Sequence, residues 1–112
     1  MSQLSLIQGT VDLLILRALR EGPAHGYAVS RFVRSRTDGA LALEDAALYQ
    51  ALHRLESRGL VEADWGVSEN NRRAKFYRLT PKGRRRLQAD AATWRQYATA
   101  IFKVLDEPGG SR

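Results

Sequence analysis

The sequence contains no cysteine, and this absence excludes a disulfide framework, a thiol nucleophile and a zinc site built on thiolates. A long apolar run is also missing, because the longest aliphatic stretch covers residues 13–16, far short of the ~18 residues that a membrane span needs. The first five residues carry no basic flank ahead of an apolar stretch, so we predict no signal peptide. We therefore expect a small soluble, cytoplasmic domain with no membrane contact.

Catalytic and metal-binding patterns are missing as well. The chain has two histidines, His25 and His53, and they fall on different predicted helices. Neither belongs to a nucleophile–base–acid set or to a metal-ligand spacing, and no Gly-rich phosphate loop is present. The sequence therefore predicts a protein that is not an enzyme and that uses no metal ion or cofactor.

What the sequence does have is a concentrated positive charge. The net charge is +6, but residues 72–86 alone carry +8, and the rest of the chain, with ten basic and twelve acidic residues, carries −2. The eight basic residues are Arg72, Arg73, Lys75, Arg78, Lys82, Arg84, Arg85 and Arg86. Charge of one sign in a single stretch indicates a polyanionic partner bound at a defined place. A solvated basic face that maintains solubility is the alternative.

Three helices are predicted in the first half of the chain. With 112 residues, of which 44% are hydrophobic, the chain can form one small core in a single domain. The first helix is predicted to have Thr10 as its N-cap and to end before residue 22. The second runs from about residue 26 to residue 38, and the third from about residue 46 to residue 58, where Gly59 provides a left-handed C-cap. The second-helix residues expected to point toward the core are Tyr27, Val29, Phe32 and Val33.

A β-hairpin and a long helix are predicted in the second half. Beyond Gly59 the hydrophobic period changes to two, which predicts strands over residues 60–67 and 73–79. The polar residues 68–71 between them predict a turn, since asparagine tolerates the left-handed conformation. Thr80 and Pro81 predict the start of the last helix, with threonine as N-cap and proline at the first position. The fold class is mainly α with a small β-hairpin, and the order of elements is that of a winged helix-turn-helix.

The last helix carries a second pattern. Its apolar residues recur at spacings of 4, 3, 4, 3 and 4, which is a heptad seam. The seam consists of Leu87, Ala91, Trp94, Ala98, Ile101 and Leu105. The first helix is apolar on more than one side, Leu14 included, so we expect both helices to contact a second subunit. The alternative is an amphipathic helix that folds back on its own core. The predicted organisation is a winged helix-turn-helix over residues 1–80, a C-terminal dimerisation helix over residues 81–106 and a disordered tail over residues 107–112.

The third helix is the candidate DNA-contacting helix, because this helix of the fold can enter the major groove while the hairpin, or wing, lies beside it. An apolar stripe of leucines at positions 48, 52 and 55 faces the core. The candidate contact residues on its other faces are Tyr49, Gln50, His53 and Arg54. Glutamine can form two hydrogen bonds to adenine, arginine can do the same to guanine, and histidine can donate to a base or a phosphate. Taken alone, these residues fit an ordinary solvated helix face equally well.

The wing adds a second set of candidate contacts. Asn70, Asn71, Arg72 and Arg73 lie at or just after the predicted tip, where side chains that suit phosphate oxygens and minor-groove acceptors project freely. Lys75 alternates with apolar neighbours, so we expect it to face the same exposed side as Arg73. A basic hairpin tip beside a basic helix favours a nucleic-acid partner, double-stranded DNA in this fold.

Several linked stretches, residues 8–16, 22–27, 47–56 with 58–60, and 65–83, resemble the PadR family of bacterial transcriptional regulators, especially its short members that end in one C-terminal helix. The segment ENNRRAKFYRLT at residues 69–80 looks particularly like the family's wing. The similarity covers roughly residues 4–105. It implies a homodimeric repressor that binds a palindromic operator through paired third helices and wings, with the last helix making the dimer together with the first. By similarity, Tyr27 lies close to the DNA backbone and Tyr49 lies near phosphates.

The sequence departs from the family pattern at the start of the third helix. Ala46, Ala47 and Gln50 stand where the family usually has glycine, then serine or threonine, and then proline after the Leu-Tyr pair. The missing hydroxyl removes a backbone contact, and the carboxylates of Glu44 and Asp45 would repel a phosphate at this helix end. These departures leave the operator sequence and the set of contacts open.

Three other functions stay in view. A winged helix used only as a protein-interaction module would predict an apolar wing, against which the basic wing argues. RNA binding would need an exposed aromatic stacking platform, whereas Trp65, Phe76 and Tyr77 are interpreted as hairpin and core residues. Some relatives bind aromatic small molecules at the dimer interface, and Trp94 could line such a site or simply pack there, so a small-molecule effector stays unidentified.

Overall fold

The computed structural model describes residues 9–106. Along this range the elements are α1 (Thr10–Leu19), α2 (Gly26–Arg36), α3 (Asp45–Ser57), β1 (Val61–Val67), β2 (Arg73–Leu79) and α4 (Pro81–Leu105). The predicted order of three helices, a hairpin and a long helix is confirmed, and the fold is a winged helix with a long C-terminal helix. The predictions of no signal peptide at residues 1–5 and of a disordered tail at residues 107–112 lie outside the described residues. None of the helices within residues 9–106 has the length and apolarity that crossing a membrane requires.

The core is built around α1, which contacts α2, α3, β2 and α4. Ile15 and Leu16 of α1 are fully buried, as are Val29 of α2 and Leu52 of α3. The predicted leucine stripe of α3 is confirmed, because positions 48, 52 and 55 are all buried. Burial of this stripe turns the opposite side of α3 outward and fixes which of its residues can meet a partner.

Two predictions in the first two helices were wrong. Helix α1 begins at Thr10, as predicted, but Thr10 is its first residue rather than its N-cap, since Gly9, in a left-handed conformation (φ 92°), takes the N-cap position. Tyr27 does not point toward the core: 65% of its surface is exposed. Val29 and Val33, one helical turn apart, form the buried side of α2, and a residue two positions before Val29 lies about 200° around the helix from it.

The hairpin, called the wing (residues 61–79), has two different faces. The strands are antiparallel, with Val61 opposite Leu79 and Trp65 opposite Lys75, and directly opposed residues share a face. One face is therefore formed by alternate residues from 61 to 67 and from 73 to 79. Its base is buried in the core through Val61, Tyr77 and Leu79, so this inner face turns toward the helices.

Hydrogen bonds fix the wing at its tip and along its edge. At the tip, the Asn71 amide donates to the Ser68 carbonyl (2.8 Å), and Asn71 has the predicted left-handed conformation (φ 60°). On the free edge of β2, Ala24 and Tyr77 exchange two backbone hydrogen bonds of 3.0 and 2.9 Å. The residue that precedes the start of α2 is thus tied directly to the wing.

The start of α4 is docked tightly and its end projects. Thr80 caps the helix by accepting from the Gly83 amide at 3.0 Å, as predicted, and Gly83 packs against the Leu60 carbonyl so closely that a Cβ atom would clash with it. Leu87 belongs to the core of its own chain, with 4% of its surface exposed. A helix of 25 residues is about 37 Å long, and its later turns extend beyond this docked end, in a molecule measuring 57 × 33 × 21 Å.

Candidate nucleic-acid interface

The exposed side of α3 carries all four side chains predicted to contact DNA. Tyr49, Gln50, His53 and Arg54 are exposed, whereas Leu48, Ala51, Leu52 and Leu55 are buried. Gln50 and His53 make no side-chain hydrogen bond or ion pair within the described chain. Their polar atoms are therefore available to a partner.

Ion pairs hold both flanks of α3. On one flank, Glu56 pairs with Lys75 of β2 at 3.3 Å. On the other flank, Arg54 pairs with Asp12 of α1 at 2.5 Å. At 100° per residue, Gln50 and His53 lie between these flanks, at the centre of the exposed side. The pairs at the edges fix the rotation of α3 and present its middle outward.

A groove lies between α2, α3 and the wing, with a volume of about 660 Å³. We call it the wing groove and define it by six of its lining residues, Tyr27, Arg31, Tyr49, Trp65, Arg72 and Arg73. Three of these residues are arginines and three are aromatic. The groove thus combines positive charge with flat apolar surface on one side of the molecule.

Tyr49 enters this groove because residue 26 is glycine. A Cβ atom on Gly26 would lie 2.5 Å from the Tyr49 hydroxyl oxygen and 2.7 Å from its ring, closer than non-bonded atoms approach. The ring of Tyr49 therefore lies directly on the first turn of α2, with half of its surface exposed. This contact places a phenol hydroxyl at a helix N-terminus, where unpaired amide groups favour an anion.

His25 connects the start of α2 to the wing. Its Nδ1 atom accepts a hydrogen bond from the Ala28 amide at 3.2 Å and caps the helix. The imidazole ring also packs edge-on against Phe76 of β2, with the ring centroids 5.3 Å apart. His25 is thus a structural cap of α2.

The wing tip carries exposed cations. Asn70, Asn71, Arg72 and Arg73 are exposed, as predicted. The Arg72 guanidinium has no partner within residues 9–106, and the Arg73 guanidinium lies 4.6 Å from the centre of the Trp65 ring. Glu69 reaches back to Arg31 of α2 at 3.8 Å. Arg72 and Arg73 are therefore the tip residues best placed to meet a phosphate.

The cations on the two faces of the wing have different surroundings. The prediction that Lys75 lies on an exposed face is corrected by its position. Lys75 does share a face with Arg73, but it is the inner face, and Lys75 is only half-exposed beside Glu56. Burial raises the pKa of Tyr77, further along this face, so its phenol stays neutral. On the outer face, a hydrogen bond to Asp64 is the main cause that raises the pKa of Arg78. Arg78 also pairs with Glu62 at 2.9 Å and is thereby neutralised.

The basic stretch over residues 72–86 is not one surface. Strand β2 separates its two halves, and seven strand residues span about 23 Å. The second half lies at the start of α4, where Lys82 donates to the Arg58 carbonyl at 3.0 Å and Arg86 pairs with Asp90 at 3.1 Å. The concentrated charge in the sequence therefore becomes a cationic wing tip and a separate group at the base.

Comparison with known proteins identifies the family of this arrangement. The model of the transcriptional regulator PadR-like family matches residues 15–89. The chain belongs to this family. A structure of a transcriptional regulator from Clostridium thermocellum is 33% identical, with a TM-score of 0.77 over 86% of this chain and 90% of that one. A PadR family transcription regulator from Clostridium difficile is 29% identical, with a TM-score of 0.75 over 87% of this chain and 99% of that one.

A protein of Lysinibacillus sphaericus without a described activity is 30% identical over 101 residues, which cover 90% of this chain and 93% of that protein. Membership in the PadR-like family makes this chain a DNA-binding transcription regulator and not an enzyme, which confirms the prediction from its residues. The described part of the chain also holds no cluster of histidine and carboxylate side chains that could bind a metal ion.

The N-terminus of α3 is where a departure from the PadR-like family pattern was expected, and the structure shows how its side chains lie. Glu44 occupies the N-cap position and makes no side-chain capping bond. Ala46 and Ala47 follow, both exposed, so the first turn of the helix offers no hydroxyl. Gln50 and His53, which are exposed, lie further along the helix.

Sequence reasoning missed two residues of the wing groove. Arg31 of α2 lines the groove, and its guanidinium lies 5.4 Å from the centre of the Tyr27 ring. Trp65 was interpreted as a hairpin or core residue, yet 61% of its surface is exposed. The signal that could have found Trp65 is its position on β1, four residues beyond the buried base and near the tip.

Proposed function

We propose that this chain is a sequence-specific repressor that binds a palindromic operator as a homodimer, with α3 in the major groove and the wing on the adjacent backbone. The observation that supports this proposal is that the exposed centre of α3 and the wing groove lie on the same side of the molecule. Unpaired polar side chains lie on the helix, and cations flank them on the wing. Base contacts and phosphate contacts are thereby supplied by two adjoining surfaces, as a DNA duplex requires.

We assign base contacts to the centre of α3. Gln50 fits a bidentate contact to adenine, and His53 fits a donor contact to a base or a phosphate. Arg54 is paired with Asp12, so it serves the flanking backbone or stabilises the helix rather than a central base pair. This division makes Gln50 the main determinant of operator sequence.

Phosphate contacts are assigned to the groove and the wing tip. The cations Arg72 and Arg73 and the polar side chains Asn70 and Asn71 approach the strand from the wing. Tyr27 and Tyr49 approach it from the helices, next to the N-terminus of α2. Lys75 supports these contacts indirectly, because its amine is held by Glu56 and ties the wing to α3. These contacts fix orientation on the duplex without selecting its sequence.

The dimer is assigned to the distal half of α4, defined as residues 91–105. Exposed apolar side chains line it, namely Trp94, Tyr97, Ile101, Phe102 and Leu105, and Ala91 and Ala98 lie half-buried between them. A contiguous apolar surface of this kind is unfavourable in water and marks an interaction site. Leu14 of α1 is half-buried, and we assign it to the edge of the same dimer interface. Leu87 is left out, because its own chain already buries it.

Two-fold symmetry then sets the shape of the operator. A two-fold dimer presents identical α3 helices in opposite directions, so its site is a palindrome. Half-sites separated by one helical turn, about 10 base pairs between centres, place both helices in successive major grooves. A dimer held there covers the DNA and excludes other proteins from it, which is the physical basis of repression.

In-vitro selection tests the proposal. Random duplexes are selected with the purified protein at two salt concentrations, and we expect a palindrome with half-site centres about 10 base pairs apart. A Gln50→Ala variant is selected in parallel and should lose preference at one base pair per half-site, by about 1–3 kcal/mol. Enrichment of an unsymmetrical site contradicts the dimer, and no enrichment favours a protein-interaction module.

A further inference from the structure

Trp65 is a large exposed side chain on the inner face of the wing. This face packs into the core at its base, through Val61 and Leu79. Trp65 lies on the same face closer to the tip, where the wing has left the core, and 61% of its surface is exposed. An indole in this position contributes little to the stability of the isolated domain, because most of its apolar surface stays in water.

One side-chain contact of Trp65 is a cation–π contact, in which the Arg73 guanidinium lies 4.6 Å from the ring centre. The strand opposite Trp65 is tied to α3 separately, because Lys75, its partner in the strand register, pairs with Glu56 of α3 at 3.3 Å. The wing at this level is therefore connected to α3, and the Trp65 ring lines the wing groove across from the helices.

The wing groove offers more than charge. A surface that only attracts phosphates needs cations, and Arg72 and Arg73 provide them at the wing tip, whereas Arg31 is paired with Glu69 at 3.8 Å. The wing adds two aromatic side chains to the groove lining, Tyr77, which is buried, and Trp65, which is exposed. A sugar–phosphate strand alternates anionic phosphates with deoxyribose rings, whose carbon atoms favour contact with a flat apolar surface. The alternation of cations and rings in the groove is complementary to that strand.

We infer that Trp65 is a DNA-contacting residue. Its indole packs against a deoxyribose of the strand that passes between the wing and α3, and Arg73, stacked on the indole, holds its guanidinium at a neighbouring phosphate. The inference rests on the proposed function and adds to it an uncharged contact of the wing. Because no charge is involved, Trp65 contributes to affinity without contributing to the dependence of affinity on salt.

Fluorescence provides the direct test. The chain has two tryptophans, so the emission change that the parent chain shows and a Trp65→Phe variant lacks reports on Trp65, and Trp94 of the proposed dimer surface stays intact. We expect this difference in emission to saturate as the selected duplex is added, with one change per protomer bound. Unchanged emission while the duplex is bound, as judged by gel shift, would overturn the inference.

Substitution provides the second test. Trp65→Ala should weaken duplex binding about tenfold, which is typical of one aromatic ring on nucleic acid, with the salt slope unchanged. Trp65→Phe should retain most of the affinity, because a flat ring remains. Arg78→Gln is the matched control on the outer face of the same wing, and it should stay within about twofold of the parent. Equal affinities of Trp65→Ala and the parent chain would contradict the inference.

The outcomes separate this inference from the proposed function. If the parent protein selects no duplex, the proposed function fails. If it selects a palindrome but neither the emission of Trp65 nor the affinity of Trp65→Ala changes, only the inference fails. Stronger quenching of Trp65 by single-stranded DNA or RNA of the same sequence would overturn the assignment to a duplex strand. Thermal unfolding of each variant checks the fold, and the difference in emission between the parent chain and the Trp65→Phe variant decides the matter should Trp65→Ala unfold.

Discussion

The wing groove and the distal half of α4 both expose aromatic rings, and they differ in what surrounds those rings. In the groove, Tyr27 and Trp65 lie beneath the guanidinium groups of Arg31 and Arg73. On α4, the rings lie among aliphatic neighbours, and the last turn holds a single basic residue, Lys103. Rings under cations suit an anionic partner, whereas rings among aliphatic side chains suit another apolar surface. The charge around an exposed ring, rather than the ring itself, distinguishes the two surfaces.

The largest expected effect comes from placing a charge on the apolar surface. Ile101→Asp puts a carboxylate at a seam position that is 40% exposed in the single chain and buried in the proposed dimer, where an unpaired charge costs several kcal/mol. We expect monomers at micromolar concentration in analytical ultracentrifugation and loss of operator binding. Gln96→Asp, on the same helix outside the seam, is the control and should stay dimeric. A dimeric Ile101→Asp variant would place the interface elsewhere.

A smaller effect is expected from removing a charge from the groove. Arg73→Ala deletes a cation at the wing tip, so binding should weaken on all sequences and the slope of affinity against salt should fall by about one unit. Arg84→Ala is the matched control, because it removes one positive charge from the base group at the start of α4. Its affinity and slope should match those of the parent chain. Equal slopes for both variants would mean that the wing tip and the base group contact DNA alike.

The smallest effect is expected at Gly26, the glycine that allows the Tyr49 ring to enter the wing groove. Gly26→Ala pushes the Tyr49 ring off the first turn of α2, since the added Cβ would lie 2.5 Å from the hydroxyl oxygen. The ring is half-exposed and can move, so we expect unfolding free energy to change by less than about 1 kcal/mol and DNA affinity to fall several-fold.

A double-mutant cycle with Tyr49→Ala isolates this contact. If Tyr49 carries the effect, Gly26→Ala should have little further influence on DNA affinity once the ring is absent. Additive losses in the double variant would show that Gly26 acts without Tyr49.

Local signals in the sequence predicted most of the fold. Strand β2 was predicted over residues 73–79 and has those bounds, because its alternation of basic and apolar residues ends at Thr80 and Pro81. Gly59 likewise has the predicted left-handed conformation (φ 74°). Each of these features depends on neighbours within a few residues of the same chain, and such information is present in the sequence.

Predictions that depended on the packing of distant segments were less successful. The direction of Tyr27 depends on which side of α2 meets α1 and α3, and the direction of Lys75 depends on the position of Glu56, 19 residues away. Leu87 fits a heptad seam by spacing, but it is buried in the core of its own chain. The candidate site could thus be predicted as a set of residues, whereas the distinction between exposed side chains without a partner and side chains held by ion pairs required the tertiary contacts.

The backbone bridge between Ala24 and Tyr77 has a consequence for the DNA. Together with the pair of Lys75 and Glu56, it anchors β2 both to the start of α2 and to α3, so the wing cannot swing independently to follow a narrower or wider minor groove. In the proposed complex the DNA duplex must therefore deform to fit the wing. Flexible steps such as TA and CA would gain an advantage even where no side chain touches a base.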